Sequence, residues 1–324
     1  MGTPVRWGIL GAGKFAREHM GPAIHAATGA QLVALGTSSP EKAAPFKAFA
    51  PGLRVHDSYE AILADADVDV VYIPLPNHLH IEWAMKALQA GKHVLVEKPV
   101  GLQATQINPL IALRDKTGLI ATEAFMIAHH PQWSRARELI VNGAIGDLRH
   151  VDGVFCYNNL DLTNVRFDST KGGGSLPDIG VYTIGSTRLA TAQEPLEITY
   201  ADIDYLNGVD VMARVSARFD GFTAHWVTAM NVHQTQHMTF LGSEGRIHLC
   251  APFNAGSYGE AQLEVTQSDG LVRIERWPDY AQYVTQVEAF CASLHNDAPY
   301  AWSLEDARST QVVIDAVYAA AGSC

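Results

Sequence analysis

VRWGILGAGKFA, residues 5–16, is the stretch that decides the fold of the first half of the chain. Val5–Leu10 is the short apolar run of a buried strand, and a helical pattern follows the glycines. Gly11 allows a tight turn, Gly13 lets a pyrophosphate approach the backbone, and Ala16 stands in the third position of a Gly-x-Gly-x-x-Gly/Ala fingerprint. The stretch therefore predicts a dinucleotide-binding turn formed by Gly11, Ala12, Gly13, Lys14 and Phe15.

The second strand, Gln31–Gly36, ends without the carboxylate that usually binds the adenosine ribose. Small hydroxyls follow it, and Ser39-Pro40 is typical of a helix N-cap with proline in the first turn. Hydroxyls, a helix start and a nearby lysine suit a 2′-phosphate better than a bare ribose, so NADP(H) is the preferred cofactor. NAD(H) stays open because Glu41 is close and no arginine is present. The residues assigned to this end of the cofactor are Thr37, Ser38, Ser39 and Lys42.

A rigid loop, PLPNHLH, follows the strand Asp69–Ile73. At the carboxyl end of a parallel strand it should run past the cofactor, and we assign it four contacts there, Pro74, Leu75, Asn77 and His80. Asn77 is also expected to cap the helix 81–90. His78 and His80 indicate capping or packing rather than metal binding, because no carboxylate or cysteine is near them in sequence.

The stretch GKHVLVEKP, residues 91–99, contains a further buried strand that ends in two opposite charges and a proline. Ligands of open α/β sheets bind outside the carboxyl ends of the strands, so Glu97 and Lys98 are expected at the cofactor. A surface ion pair is the alternative interpretation of the same residues.

Composition limits the class of protein. The chain has 324 residues, of which 48% are hydrophobic and 18% charged, enough for two domains with sizeable cores. The net charge of −11 and the scattered basic residues argue against nucleic-acid or membrane partners. Four well-separated cysteines, no metal-type spacing and no export signal favour a cytoplasmic protein with reduced thiols.

Three motifs together resemble a known family: the Gly-x-Gly turn, Pro-Asn-His-x-His at 76–80, and Gly-Lys-His-Val-Leu-Val-Glu-Lys-Pro at 91–99. They are similar to those of the glucose–fructose oxidoreductase / inositol dehydrogenase / rhizopine catabolism (Gfo/Idh/MocA) family. The resemblance implies that Lys98 touches the nicotinamide ribose and the substrate hydroxyl. It also implies a cis bond between Lys98 and Pro99.

The second half of the chain departs from the family pattern at Ala128 and follows it in the segment 172–182. Ala128 stands where the family commonly has an arginine before His-Pro-Gln, and His129 either replaces that arginine or caps or packs. GGGSLPDIGVY, residues 172–182, resembles the tyrosine-bearing sugar and dihydrodiol dehydrogenases, with Ser175 as an expected helix cap. Asp178 and Tyr182 are four residues apart and so lie on one helical face.

A tyrosine and a lysine together make a reasonable acid/base device. The unperturbed pKa of tyrosine is about 10, and a nearby cation such as Lys98 would stabilise the phenolate. We therefore expect Tyr182 to be the general acid/base, Lys98 to lower its pKa, and Asp178 to orient the substrate. Asp178 has the alternative of a helix-terminus charge. Arg166 is a further expected substrate contact.

The second half also changes to the period of two of antiparallel strands, with turns at Asn207-Gly208, Asp220-Gly221 and Ser268-Asp269-Gly270. The predicted fold is α/β: a Rossmann domain, 1–122, followed by an α+β substrate and oligomerisation domain, 123–324, with a mostly antiparallel open sheet. The last helix, about 303–324, is expected to pack back on the first domain. A homodimer or homotetramer is expected.

The predicted function is hydride transfer between NAD(P) and a hydroxyl or carbonyl of a sugar or cyclic polyol, as in an aldose 1-dehydrogenase. A trans-dihydrodiol dehydrogenase and an anhydrosugar reductase are alternatives. A non-catalytic NAD(P)-binding regulator is the alternative from another class.

Overall fold

The structure, a computed structural model, describes residues 3–295 and 298–322. The chain divides into two units, one formed by residues 1–129 and 281–308 and the other by 130–280 and 309–324. Each unit thus contains two separate segments of the chain. The boundary expected after residue 122 stays a prediction.

The first unit contains a six-stranded parallel sheet in the order β3-β2-β1-β4-β5-β6. Its strands are β1 (Val5–Leu10), β2 (Ala30–Gly36), β3 (Arg54–His56), β4 (Val70–Ile73), β5 (His93–Val96) and β6 (Ala121–Glu123). Four neighbouring strands, β2, β1, β4 and β5, therefore end at the same edge of the sheet. The segments predicted to bind the cofactor follow these four ends.

The helices of the first unit are α1 (Gly21–Ala26), α2 (Pro40–Phe49), α3 (Tyr59–Ala64), α4 (His80–Gln89), α5 (Ala104–Thr117) and α8 (Gln282–Leu294). A π-helical segment, Ala16–Met20, leads into α1. Two apolar clusters fill the unit, one containing Trp83 and Leu110 and the other containing Trp7 and Phe290. The burial of these side chains is the main stabilising contribution to the unit.

The second unit contains an eight-stranded sheet in the order β14-β13-β12-β11-β7-β10-β9-β8. Its strands are β7 (Leu148–Asn158), β8 (Glu197–Leu206), β9 (Val209–Arg218), β10 (Thr223–Ala229), β11 (Asn231–Gly242), β12 (Gly245–Leu249), β13 (Ala261–Gln267) and β14 (Val272–Trp277). All neighbouring pairs are antiparallel except β7 with β10. The predicted fold class, with its mostly antiparallel second sheet, is confirmed.

Helices α6 (Pro131–Val141) and α7 (Val181–Thr191) belong to the second unit. The last helix, α9 (Leu304–Ala320), begins in the first unit and continues into the second from Ser309. Leu304 and Ala307 join an apolar cluster of the first unit, and Glu305 forms an ion pair with Arg114 at 2.6 Å. The start of α9 therefore packs within the first unit, and the expectation that the whole helix 303–324 packs there stays a prediction.

Local signals were confirmed in part. Ser39 caps α2 by accepting a hydrogen bond from the backbone of Lys42, and the turn between β8 and β9 has positive φ at Asn207 and Gly208. Asn77 does not cap α4: it opens a short 3-10 turn, and the cap position of α4 falls at Leu79. Among the residues that the structure describes, no helix has the length and apolar character of a membrane span.

Candidate active site

The glycine turn after β1 has the backbone that the sequence predicts. Gly11 has a φ of +105°, and a Cβ there would lie 3.2 Å from Leu75 Cδ2. A Cβ on Gly13 would meet only the Pro74 carbonyl, at 4.0 Å, so the space beside the turn is open. Lys14 and Phe15 are exposed at the start of the helix. An open turn followed by exposed helix N–H groups fits a dinucleotide pyrophosphate.

The segment after β2 presents small hydroxyl side chains. Thr37 Oγ1 accepts the backbone N–H of Ser39 at 3.2 Å, and Ser39 Oγ accepts that of Lys42 at 3.2 Å. Ser38 is exposed and so is Lys42. Hydroxyls, a helix start and a lysine thus lie together at the end of β2, as a 2′-phosphate would require.

The turn after β5 holds Lys98 by its backbone. The Glu97 carboxylate accepts the Tyr72 hydroxyl at 2.5 Å and the backbone N–H of Lys98 at 3.3 Å. The Lys98–Pro99 peptide bond is cis, so that prediction is confirmed. Lys98 itself is partly buried.

His80 lies under the turns that follow β4 and β5. It is completely buried, with Nδ1 2.7 Å from the carbonyl oxygen of Pro99 and Nε2 2.7 Å from that of Leu75. Burial lowers the pKa of His80 to about 4, although both carbonyl groups favour the protonated ring. The enclosed ring supports these two turns, and the cofactor contact expected of His80 stays a prediction.

Glu123, at the end of β6, is a buried carboxyl group that sequence reasoning missed. One oxygen accepts the backbone N–H of Val100 at 3.2 Å, and the other accepts Trp302 Nε1 at 2.9 Å. Burial raises the pKa of Glu123 to about 7. The sequence feature that could have pointed to Glu123 is an acidic residue at the carboxyl end of an apolar strand.

The second unit brings Asp178 together with two donors. Its Oδ2 accepts Arg166 Nε at 2.7 Å and the Tyr157 hydroxyl at 2.6 Å. The carboxylate raises the pKa of Arg166, whereas burial together with that carboxylate raises the pKa of Tyr157. Two predicted residues, Arg166 and Asp178, therefore meet, and Tyr157 is an unpredicted third member, lying at the end of a long strand with no local signal.

Tyr182, in the first turn of α7, is 6% exposed and lies among aromatic rings. Its ring centroid is 5.7 Å from that of Phe155 and 5.8 Å from that of Phe253. The preceding residues, 176–180, form a π-helical segment that contains Asp178. These aromatic contacts hold the ring of Tyr182 in place.

Ser175 does not cap this helical segment with its side chain, which corrects the expectation from the sequence. Its hydroxyl donates instead to Asp210 Oδ2 at 2.7 Å, and the Leu176 N–H donates to the same oxygen at 2.7 Å. Tyr318 donates to the other oxygen of Asp210 at 2.6 Å. Asp210, which sequence reasoning also missed, thus ties the glycine-rich segment to β9 and α9.

His129, proposed as one replacement for the family arginine, packs its ring on Tyr300 at 4.6 Å between centroids. Burial lowers the pKa of His129 to about 4, so the ring is neutral near pH 7 and does not supply the arginine's charge. Packing is the role that the contact supports.

Comparison with known proteins agrees with this arrangement. The family model GFO_IDH_MocA, an oxidoreductase family with an NAD-binding Rossmann fold, matches residues 5–125, and the GFO/IDH/MocA C-terminal domain matches residues 133–248. An uncharacterized oxidoreductase of Rhizobium meliloti is 35% identical over 97% of this chain and 96% of its own length.

Other relatives have named activities. A dTDP-3,4-didehydro-2,6-dideoxy-alpha-D-glucose 3-reductase of Actinomadura kijaniata is 31% identical over 97% of this chain and 95% of its own. A D-xylose 1-dehydrogenase (NADP(+)) of Haloferax volcanii is 31% identical over 97% of each chain. The crystal structure of a tyrosine variant of a 3-ketoreductase from Actinomadura kijaniata, with TDP-benzene and NADP, has a TM-score of 0.90, 30% identity and 98% coverage of both chains. The chain belongs to the GFO/IDH/MocA oxidoreductase family and is an NAD(P)-dependent dehydrogenase or reductase.

Proposed function

We propose that the chain is an NADP(H)-preferring sugar oxidoreductase and that its first substrate class is the free aldoses, oxidised at the anomeric carbon. The observation that carries the proposal is the set of turns at one sheet edge. There the open glycine turn, the hydroxyl segment after β2 and the Lys98 turn follow neighbouring strands. The D-xylose 1-dehydrogenase (NADP(+)) among the relatives supports it, and so does the related 3-ketoreductase crystallised with NADP.

The cofactor would be held by the turn at Gly11 and Gly13, by the hydroxyls of Thr37 and Ser39, and by Lys42. When bound, it supplies or accepts the hydride. Lys42 and the start of α2 attract the 2′-phosphate, because a helix start and a cation both favour an anion.

The proton of the substrate hydroxyl passes to or from the Tyr182 phenol oxygen. Lys98 orients that hydroxyl, and its positive charge favours the phenolate. Asp178, kept in place by Arg166 and Tyr157, accepts a neighbouring sugar hydroxyl. The proton transfer near neutral pH therefore depends on the lysine as well as on the tyrosine.

The test is steady-state formation of NADPH with a panel of aldoses, anhydrosugars and dihydrodiols. We expect turnover with at least one aldose, and we expect Lys98→Met and Tyr182→Phe each to lower kcat by about 100-fold or more. If the two residues serve one proton transfer, the double variant loses little more than the worse single variant. Cofactor binding without turnover on any substrate would instead favour a non-catalytic regulator.

A second candidate is reduction of the 3-keto group of a dTDP-linked sugar. It is supported by relatives of 31–33% identity that carry this activity, each covering at least 90% of this chain. Oxidation of NADPH by a dTDP-ketosugar, together with no activity on free aldoses, would replace the first candidate with the second. The expected homodimer or homotetramer stays a prediction that light scattering can test.

A further inference from the structure

The turn that carries Lys98 is held by two buried side chains acting on one peptide group. His80 contacts the carbonyl oxygen of Pro99, and Glu123 accepts the N–H of Val100. These two atoms belong to the same peptide unit, Pro99–Val100. That unit is trans, so its C=O and N–H point in opposite directions and the two side chains hold it from opposite sides.

Both backbone torsions of the residue next to Lys98 are thereby fixed. The ring of Pro99 sets its own φ. The orientation of the Pro99–Val100 peptide plane sets the ψ of Pro99, and that plane cannot rotate without breaking contacts to both His80 and Glu123. On the other side of the turn, Glu97 accepts the N–H of Lys98.

The two supports come from different elements of the sheet edge. His80 is the first residue of α4, and its second nitrogen contacts Leu75 in the turn after β4. Glu123 ends β6, and its other oxygen is bonded to Trp302. The turn after β5 is therefore bonded through His80 to the turn after β4, and through Glu123 to the end of β6.

The charges and acceptors around the pair determine where the His80 proton lies. Both ring nitrogens face carbonyl oxygens, which only accept, so a neutral ring donates to one of them. The N–H of the Pro99–Val100 peptide is bonded to a carboxyl group, which polarises the peptide and makes the Pro99 oxygen the stronger acceptor. The facing charged groups are Lys98 and His78 for His80, and Glu97 and Lys98 for Glu123.

We propose that His80 and Glu123 are paired positioning residues for Lys98, with the His80 Nδ1 proton donated to the Pro99 carbonyl. The proposal rests on the proposed function only in that Lys98 acts on the substrate. Neither residue touches the substrate. Their contribution is to keep the ammonium group where the reaction needs it, because small misplacements of a catalytic group are costly.

The variants His80→Gln and Glu123→Gln test the pair, and their double variant tests the coupling. The matched control is His93→Gln, because His93 Nδ1 accepts the Ile120 N–H at 2.9 Å at the other end of β5 and does not touch the turn. Hydrogen exchange of the cofactor-free protein is measured over residues 97–102. We expect faster exchange of the Val100 amide in both test variants and unchanged exchange in the control. Unchanged exchange in the test variants would overturn the proposal.

Kinetics and spectroscopy add readouts that a general loss of stability would not reproduce. We expect kcat to fall about tenfold or more in each test variant while the Kd for NADPH changes less than about threefold, and the double variant to lose little more than the worse single one. Proton–nitrogen NMR at pH 7.5 should show His80 protonated at Nδ1. Multiplicative losses in kcat, or a bare Nδ1, would refute the pairing. If the unmodified protein turns over no sugar, the proposed function fails while exchange and NMR still test the positioning.

Discussion

Replacing Gly174 with alanine should damage the second unit more than backbone strain alone explains. Gly174 has a φ of +128°, and a Cβ there would lie 2.1 Å from Asp210 Oδ1. The unfavourable φ costs about 1–3 kcal/mol. Asp210 is 2% exposed and accepts three hydrogen bonds, so displacing it leaves buried donors unpaired at a further cost of about 1–3 kcal/mol.

Gly221→Ala is the matched control, because Gly221 has a φ of +84° and a Cβ there would meet no atom within 4 Å. It shares the strain without the collision. In thermal unfolding, 1 kcal/mol corresponds to about 2–4 °C for a unit of this size, so Gly174→Ala should melt roughly 2–12 °C below the control. Equal melting temperatures for the two variants would refute the reasoning. Activity measured well below both transitions should fall only in Gly174→Ala, since the Gly174 carbonyl accepts the N–H of Asp178.

Three further predictions concern single side chains. Lys42→Ala should lower kcat/KM with NADP about tenfold, because a tenfold change corresponds to about 1.4 kcal/mol of lost attraction to the 2′-phosphate. The kcat/KM with NAD should not change. Equal losses with both cofactors would contradict this. Tyr157→Phe should lower the free energy of unfolding by about 1–3 kcal/mol, because Asp178 loses a charge-assisted bond; an unchanged urea midpoint would contradict it. Glu123 has a folded pKa of about 7, above its unfolded value, so its contribution to stability is full below about pH 4.5 and is lost as the pH rises through 7. In thermal unfolding from pH 5 to 8, the melting temperature should therefore decline more steeply in the unmodified protein than in Glu123→Gln. Parallel curves would contradict the assignment.

Local chemistry was the part of the fold that the sequence could reveal. The turn at Gly11, the cap at Ser39 and the turn at Asn207-Gly208 each depend on a few adjacent residues, and each has the backbone expected. The placement of Lys98 followed from a rule about strand ends, which needs only the order of strand and loop.

Side-chain partners that are distant in sequence were beyond such reasoning. Serine is a residue type that often caps helices, but the hydroxyl of Ser175 bonds to Asp210, 35 residues away. Glu123 bonds to Trp302 across 179 residues, and no local pattern links them. Tyr157 bonds to Asp178, 21 residues further along the chain.

The return of the chain to its first unit has a consequence for synthesis and for engineering. Trp7 of β1 packs edge-on against Phe290 of α8, with ring centroids 5.1 Å apart, and Val287 belongs to the same cluster. A fragment that stops at residue 129 would lack α8 and leave one side of its sheet open to water. During translation the first unit is therefore finished only after residues 281–308 have been synthesised, and a nucleotide-binding fragment for biotechnology would need residues 281–308 joined back to it.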